Sequence, residues 1–133
     1  MSATLPQATI YAVEDDADVL ISLRFLLEAE GFTVKTYADG AALLADALPR
    51  SEDCLVIDYL MAGMDGFDLI DRLRERGVAA PVVLVTAYPS ASVTARAQAR
   101  GVNRIIPKPH LEESLATHVR AAIRAAEVLR NSP

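Results

Sequence analysis

Acidic side chains follow two of the short apolar runs in this chain, at the points where the runs end. Glu14, Asp15 and Asp16 come directly after the first run, and Asp58 comes directly after the third. A carboxylate at the end of a buried strand is costly unless another group pairs with it. Several carboxylates brought close together repel strongly, and such clusters persist when a divalent cation neutralises them. Because oxygen-only ligands favour a hard ion, the pattern predicts a Mg2+ site.

One hydroxyl group and one ammonium group occupy corresponding places after two further runs. Thr86 and Ala87 follow the fourth run, and Lys108 follows the fifth. An ionised Asp58 beside Mg2+ could act as a nucleophile towards phosphorus and form an aspartyl phosphate. The Lys108 ammonium and the Thr86 hydroxyl would then hold the remaining phosphoryl oxygens. These groups make a complete set for phosphoryl transfer to a carboxylate.

A simpler interpretation stays open for each acidic residue taken by itself. Asp16 or Asp18 could cap the first predicted helix, because acidic side chains stabilise helix N-termini without any further role. The combination of groups from four strand ends is what favours the functional interpretation over the structural one.

Five short apolar runs alternate with five stretches of helical character, and the connections between them are a few residues long. This alternation predicts an α/β fold with a doubly wound five-stranded parallel sheet, whose ligands bind outside the carboxyl ends of the strands. The predicted strands are Thr9–Val13, Thr33–Tyr37, Leu55–Ile57, Val82–Val85 and Arg104–Ile106. The predicted helices are a first that ends at Gly31, a second over 40–48, a third between Asp65 and Gly77, a fourth over 90–100 and a fifth after Pro109.

Two of the predicted elements differ from the others. Thr33–Tyr37 alternates apolar and polar residues, which indicates a strand at the edge of the sheet. The fourth helix offers only Val93 and several alanines as apolar residues. We therefore expect it to be one of the less firmly held elements and a candidate switch, unless the alanines simply let it pack close to the sheet.

The composition is that of one globular domain, expected to span residues 1–133 with a core over about 8–128. Hydrophobic residues make up 52% and charged residues 23% of the 133 residues. The net charge of −5 argues against nucleic acid as a direct partner. The single Cys54 lies in an apolar run and is expected to be a small buried hydrophobe. Neither a signal peptide nor a membrane-spanning run is visible, so a cytoplasmic protein with no membrane partner is expected.

The motifs resemble the receiver domain of bacterial two-component response regulators over about residues 8–128. They are AVEDD after the first strand, LVIDYLMAGMDG around the third, VTAY at the end of the fourth and PKP after the fifth. The resemblance implies the flavodoxin-like, chemotaxis-receiver-like strand order 2-1-3-4-5 in three α/β/α layers. It also implies Mg2+-dependent transfer of a phosphoryl group from a sensor histidine kinase or a histidine phosphotransfer protein, which switches a protein-interaction face.

The resemblance assigns roles to individual residues around the phosphoryl group. Asp58 matches the phosphoacceptor, Thr86 the contacting hydroxyl and Lys108 the contacting lysine. The small side chain of Ala87 would leave room for the phosphoryl group. The peptide bond between Lys108 and Pro109 is expected to be cis.

The same resemblance implies a metal site and a set of partners. Mg2+ would be held by Glu14, Asp15, Asp58 and the backbone carbonyl of Leu60. The domain would assist its own phosphorylation and dephosphorylation without being a turnover enzyme. An unknown downstream protein target and a phosphorylation-linked homodimer are further expectations.

Several positions depart from the family pattern. Ile105 stands where many receivers carry an aromatic switch residue, so an aromatic switch coupled to Thr86 is not expected. Ala62 replaces a usual proline and should leave its loop less restrained. Leu60 and Tyr88 hold the positions that the resemblance links to dephosphorylation. Neither side chain offers a carboxylate or an amide to orient an attacking water, so slow hydrolysis of the phosphoryl group is expected.

Three other functions use similar parts. A phosphatase with an aspartate nucleophile needs a general acid two residues later, where this chain has Leu60. A flavodoxin-like redox module needs a loop of Ser, Thr and Gly where Glu14, Asp15 and Asp16 stand. A receiver-like module that binds proteins without phosphorylation is the stronger alternative, and phosphoryl incorporation at Asp58 would distinguish it.

Overall fold

The computed structural model describes residues 8–102, 104–108 and 111–132, the last range without the side chains of 111–113. Strands and helices alternate along these residues. The strands are β1 (Thr9–Val13), β2 (Thr33–Tyr37), β3 (Cys54–Asp58), β4 (Val82–Thr86) and β5 (Arg104–Pro107). The helices are α1 (Ala17–Ala29), α2 (Gly40–Leu44), α3 (Gly66–Glu75), α4 (Ala91–Gln98) and α5 (Leu111–Arg130).

The five strands form one parallel sheet in the order β2-β1-β3-β4-β5, which confirms the predicted fold class and topology. β2 lies at an edge, as its alternating pattern predicted. β3 and β4 are buried at every position. Their continuous apolar sequences follow from this burial, because helices cover both faces of the sheet.

Alternate residues of the strands face two separate cores. Leu55 and Ile57 of β3 pack on one side with residues of α2, α3 and α4. Cys54 and Val56 pack on the other side with residues of α1 and α5. The result is a three-layer α/β/α arrangement. Burial raises the pKa of the Cys54 thiol to about 12, so this cysteine behaves as the buried hydrophobe that was expected.

Side-chain caps fix the start of two helices that flank the sheet edge. Oδ1 of Asp16 accepts hydrogen bonds from the backbone N–H groups of Asp18 and Val19. Asp16 therefore caps α1, which is the structural role that the sequence left open for it. Asp65 and Asp68 form a capping box at the start of α3, which confirms the predicted cap at Asp65.

The prediction that the second helix extends over 40–48 is wrong, because α2 ends at Leu44. The Tyr37 hydroxyl donates a hydrogen bond of 2.7 Å to Oδ2 of Asp46. Oδ1 of the same carboxylate accepts from the backbone N–H of Ala47 at 2.8 Å. A side chain that bonds nearby backbone in this way competes with helical pairing, so the chain leaves the helix well before Pro49.

Asp53 fastens the start of β3 to the start of β1, and it is only 1% exposed. Oδ1 accepts from the Thr9 N–H at 3.0 Å and Oδ2 accepts from the Arg50 N–H at 2.8 Å. We expect Asp53→Ala to lower the free energy of unfolding by about 2–3 kcal/mol, because it leaves these partly buried donors without an acceptor. Urea denaturation of both proteins measures the difference.

The neighbouring exposed residue provides the control for this prediction. Glu52→Ala should change the free energy of unfolding by less than about 0.5 kcal/mol. Equal losses in the two variants would contradict the role given to Asp53.

Residues 1–7, Asn103, Pro109, His110 and Pro133 lie outside the described residues. The expected cis bond between Lys108 and Pro109 falls there and stays a prediction. Within the described ranges, no helix is both long enough and apolar enough to cross a membrane.

Candidate functional site

The parallel pairing of the strands brings four strand ends to one edge of the sheet. β1 pairs with β3, β3 with β4 and β4 with β5, so the residues that follow these strands lie side by side. They are Glu14 and Asp15 after β1, Asp58 at the end of β3, Thr86 at the end of β4 and Lys108 after β5.

Three carboxylates and one ammonium group meet at this edge. Glu14, Asp15 and Asp58 each offer an oxygen atom that lies within 4.8 Å of the others. Glu14 is 0% and Asp58 is 3% exposed, whereas Asp15 is exposed. Nζ of Lys108 lies 2.8 Å from Oε1 of Glu14 and 3.4 Å from Oδ2 of Asp58. The cluster combines oxygen ligands, crowding and burial, and this donor set fits a hard divalent cation.

The crowding of these groups changes their pKa values. Burial is the largest cause that raises the pKa of Asp58, and the hydrogen bond and charge of Glu14 add to it. Lys108 acts in the opposite direction, and the pKa that results is about 7. Burial also acts to lower the pKa of Lys108, but the hydrogen bond with Glu14 and the two carboxylate charges outweigh it, so that pKa is raised. Without a metal ion, Asp58 therefore binds a proton more readily than an ordinary aspartate does.

We expect Asp58→Asn to raise the free energy of unfolding by about 1–3 kcal/mol at about pH 8 in a chelating buffer. The pKa of Asp58 in the folded chain, about 7, lies above its ordinary value of 3.8. The folded state therefore binds the proton more tightly, so wild-type stability falls as the pH rises from roughly 4 to 7. Asparagine carries no charge and removes this fall.

Urea denaturation across this pH range tests the prediction. Asp15→Asn, at the exposed member of the cluster, should keep most of the wild-type pH dependence. The prediction fails if Asp58→Asn and the wild type lose stability in parallel as the pH rises.

Comparison with known proteins identifies the family. A family model described as the response regulator receiver domain matches residues 10–120. The chain belongs to this family. It is a receiver domain of the kind found in two-component systems.

Individual relatives agree with this receiver assignment. The chain is 35% identical over 119 residues to the transcriptional regulatory protein FixJ of Bradyrhizobium diazoefficiens. The aligned region covers 89% of this chain and 58% of that protein. The crystal structure of FixJ-N superimposes with a TM-score of 0.79 at 26% identity, over 90% of this chain and 96% of the other. The chemotaxis protein CheY4 of Vibrio cholerae, at 23% identity and a TM-score of 0.77, covers 88% of this chain and 99% of its own, and it shows the shared fold.

The remaining residues predicted for the receiver site lie at or just after the ends of β3 and β4. Thr86 is buried, and its Oγ1 accepts a hydrogen bond of 3.0 Å from the Tyr88 N–H. Ala87 is exposed at the start of the connection to α4. Leu60 is 51% exposed in the connection between β3 and α3. The roles of Thr86, Ala87 and the Leu60 carbonyl remain predictions.

The loop between β3 and α3 is attached to the acidic cluster at Ala62. The backbone N–H of Ala62 donates a hydrogen bond of 3.1 Å to Oδ2 of Asp15. A proline at this position could not make the bond, because it has no N–H group. The sequence predicted a less restrained loop here, whereas the alanine provides a tether that a proline would remove.

Gly66 is a site residue that the sequence analysis missed. A Cβ atom at this position would lie 2.8 Å from the carbonyl oxygen of Asp58 and 3.1 Å from Cα of Tyr59. The Gly66 N–H also donates a hydrogen bond of 2.8 Å to the Tyr59 carbonyl. Only glycine lets α3 begin so close to the strand that carries Asp58. The signal in the sequence was the glycine directly after the capping residue Asp65.

Proposed function

We propose that this receiver domain is the phosphoacceptor of a two-component phosphorelay and that Asp58 receives the phosphoryl group. The observation that carries the proposal is the buried Asp58 carboxylate, which lies 3.4 Å from Nζ of Lys108 and within 4.8 Å of two further carboxylates. The donor would be a sensor histidine kinase or a histidine phosphotransfer protein. Phosphorylation would switch a face of the domain that binds other proteins.

The proposed reaction is a transfer between two side chains. An oxygen of Asp58 forms a bond to phosphorus, while the bond between phosphorus and the imidazole nitrogen of the donor breaks. That nitrogen keeps the electron pair and takes up a proton from water. Lys108 lies beside the accepting carboxylate and would contact one phosphoryl oxygen, and the Thr86 hydroxyl, at the next strand end, would contact another.

The acidic cluster would hold the Mg2+ that such a transfer needs. Glu14, Asp15 and Asp58 present carboxylate oxygens within 4.8 Å of one another, and a divalent cation would relieve their mutual repulsion. The Leu60 carbonyl is the further ligand that the family resemblance implies. Bound Mg2+ would neutralise charge on the phosphoryl oxygens.

Incubation with a small phosphoryl donor such as acetyl phosphate tests the proposal. We expect a mass increase of one phosphoryl group in the presence of Mg2+ and none in a chelator. Asp58→Asn should abolish the increase, and Asp53→Asn should keep it, because Asp53 lies at the opposite end of β3. A wild-type chain that binds neither phosphoryl nor beryllofluoride would favour a module that works without phosphorylation.

The output of the domain is expected to pass through another domain or protein. The relative FixJ is named a transcriptional regulatory protein, and this chain covers 58% of its length. The net charge of −5 disfavours direct contact of the receiver itself with nucleic acid. A phosphorylation-linked homodimer is one form that the switched state could take.

The aspartyl phosphate should be long-lived. Leu60 and Tyr88 flank the site in sequence, are 51% and 67% exposed, and carry neither a carboxylate nor an amide to orient an attacking water molecule. We expect Leu60→Asn to speed hydrolysis by about tenfold, since an amide could orient the attacking water. Leu60→Met is the matched control and should leave the rate unchanged. Loss of radiolabel measures both, and a wild-type half-life of seconds would contradict the prediction.

A further inference from the structure

Helix α4 buries very little apolar surface against the rest of the domain. Val93 and Ala97 are its buried residues. Arg96 is exposed in its last turn, and Arg100 is half-buried in the turn that directly follows the helix. If apolar burial alone held α4, the helix would be among the most weakly attached elements of the domain.

Both arginines form cation–π contacts with a buried aromatic ring on α3. Phe67 lies in the first turn of α3 and is 1% exposed. The guanidinium carbons of Arg96 and Arg100 lie 4.6 Å and 4.7 Å from the centre of its ring. Arg100 also forms a two-pronged ion pair with Asp71, with N–O distances of 3.0 Å and 3.2 Å. We call Arg96, Arg100, Phe67 and Asp71 the arginine clasp.

Tyr59 connects the arginine clasp to the candidate phosphoacceptor. Its hydroxyl accepts a hydrogen bond of 3.2 Å from Arg96, and its ring lies 5.0 Å from that of Phe67. Its backbone is fixed in the sheet, because its N–H donates to the Val85 carbonyl at 2.8 Å. Since Tyr59 directly follows Asp58, the hydrogen bond from Arg96 joins α4 to the strand that carries the acidic side chain.

We propose that the arginine clasp holds α4 against α3 and that Tyr59 couples this contact to the state of Asp58. The coupling rests on the function proposed above, whereas the holding role does not. The side chain of Ile105 on β5 packs against the core and is apolar, so it cannot form a hydrogen bond with α4.

The coupling depends on the fixed backbone of Tyr59 and on a connection to α4 that can move. The connection that leads to α4 is tied to Thr86 by the hydrogen bond from the Tyr88 N–H. A hydroxyl can donate and accept at once, so the tie is lost only if the Thr86 side chain rotates towards a phosphoryl oxygen on Asp58 and carries Oγ1 away from the Tyr88 N–H. The connection can then shift. Tyr59 stays fixed in the sheet, so the Tyr59–Arg96 bond and the arginine clasp then determine how far α4 moves.

Hydrogen exchange of the α4 amides tests the holding role without any phosphoryl group. In the Arg96→Met, Arg100→Met double variant we expect exchange over residues 91–98 to be about tenfold faster, as the loss of two cation–π contacts and an ion pair implies. Tyr59→Phe removes one hydroxyl and should give a smaller increase, about threefold. Arg72→Met, at an exposed arginine on α3, is the matched control and should leave α4 unchanged.

Exchange in β1 is the internal reference, and it should be the same in every variant. Unchanged α4 exchange in the double variant would overturn the holding role. Faster exchange in β1 as well as in α4 would also overturn it, because the arginines would then act on the stability of the whole domain.

Beryllofluoride with Mg2+ tests the coupling. We expect it to change α4 exchange in the wild type and to change it much less in the double variant, while both proteins bind beryllofluoride at Asp58 equally well. Equal changes in the two proteins would overturn the coupling. Failure of the wild type to bind beryllofluoride would instead overturn the phosphoacceptor function, and the holding role would still be judged by exchange without the ligand.

Discussion

Lys108→Met will lower the free energy of unfolding by about 2–4 kcal/mol at about pH 8 in metal-free buffer. Nζ of Lys108 lies 2.8 Å from Oε1 of Glu14 and 3.4 Å from Oδ2 of Asp58, and both carboxylates are almost fully buried. Methionine has a similar length but no charge, so two buried carboxylates would face each other without a cation. Urea denaturation measures the loss.

The pH and metal dependence of the loss identify its cause. Without Lys108 the pKa of Asp58 should rise above about 7, since the ammonium is a group that lowers it. Protonation of Asp58 then relieves the repulsion, so the variant should regain most of its stability as the pH falls below about 6. Millimolar Mg2+ should restore it at high pH. A loss of equal size at about pH 5 and pH 8 would contradict this explanation.

The other lysine of the chain, Lys35 on β2, provides the control. Its Nζ lies 5.7 Å from the centre of the Tyr11 ring and its side chain is exposed. Lys35→Met should cost less than about 1 kcal/mol and show no recovery with Mg2+.

Gly66→Ala will lower the rate of phosphoryl incorporation by about 100-fold and the free energy of unfolding by about 1–3 kcal/mol. The added methyl group would lie 2.8 Å from the Asp58 carbonyl oxygen and 3.2 Å from Cγ2 of Ile57. Backbone cannot yield cheaply, so either α3 or the end of β3 must shift. The shift would move the Asp58 carboxylate away from Lys108. Incorporation from acetyl phosphate and urea denaturation measure the two effects.

Gly63→Ala separates crowding from backbone strain. Gly63 has a φ of 81°, but a Cβ there would meet nothing within 4 Å. This variant should lose about 1 kcal/mol of stability through strain and keep phosphoryl incorporation within about threefold of wild type. If Gly63→Ala slows incorporation as much as Gly66→Ala does, close approach is not the reason.

The sequence predicted the parts of the fold that depend on long, uniform patterns. The runs that became β3 and β4 are apolar throughout, which indicated parallel strands buried on both faces. Once the sheet was predicted, the position of Asp58 after β3 and of Glu14 after β1 followed from strand direction alone. The grouping of Glu14, Asp15, Asp58 and Lys108 was therefore predictable.

Features that depend on contacts between distant side chains were not predictable in this way. The end of α2 depends on a hydrogen bond from Tyr37 to Asp46, which no local pattern shows. The fourth helix was expected to be weakly held because its apolar residues are small. The apolar side chains do not show that the guanidinium groups of Arg96 and Arg100 lie over the ring of Phe67. A charged residue on a helix is usually solvated, so its sequence gives no sign of such a contact.

The net charge of the acidic cluster and Lys108 has a consequence for which ions the site binds. Glu14, Asp15 and Asp58 contribute three negative charges when ionised and Lys108 contributes one positive charge, which leaves two negative charges in a group of four side chains. One divalent cation would bring this sum to zero. A monovalent ion would leave a negative charge near buried carboxylates, and a trivalent ion would add a positive one. The site should therefore discriminate between ions by valence before it discriminates by ionic radius, so abundant potassium would compete poorly with scarcer magnesium.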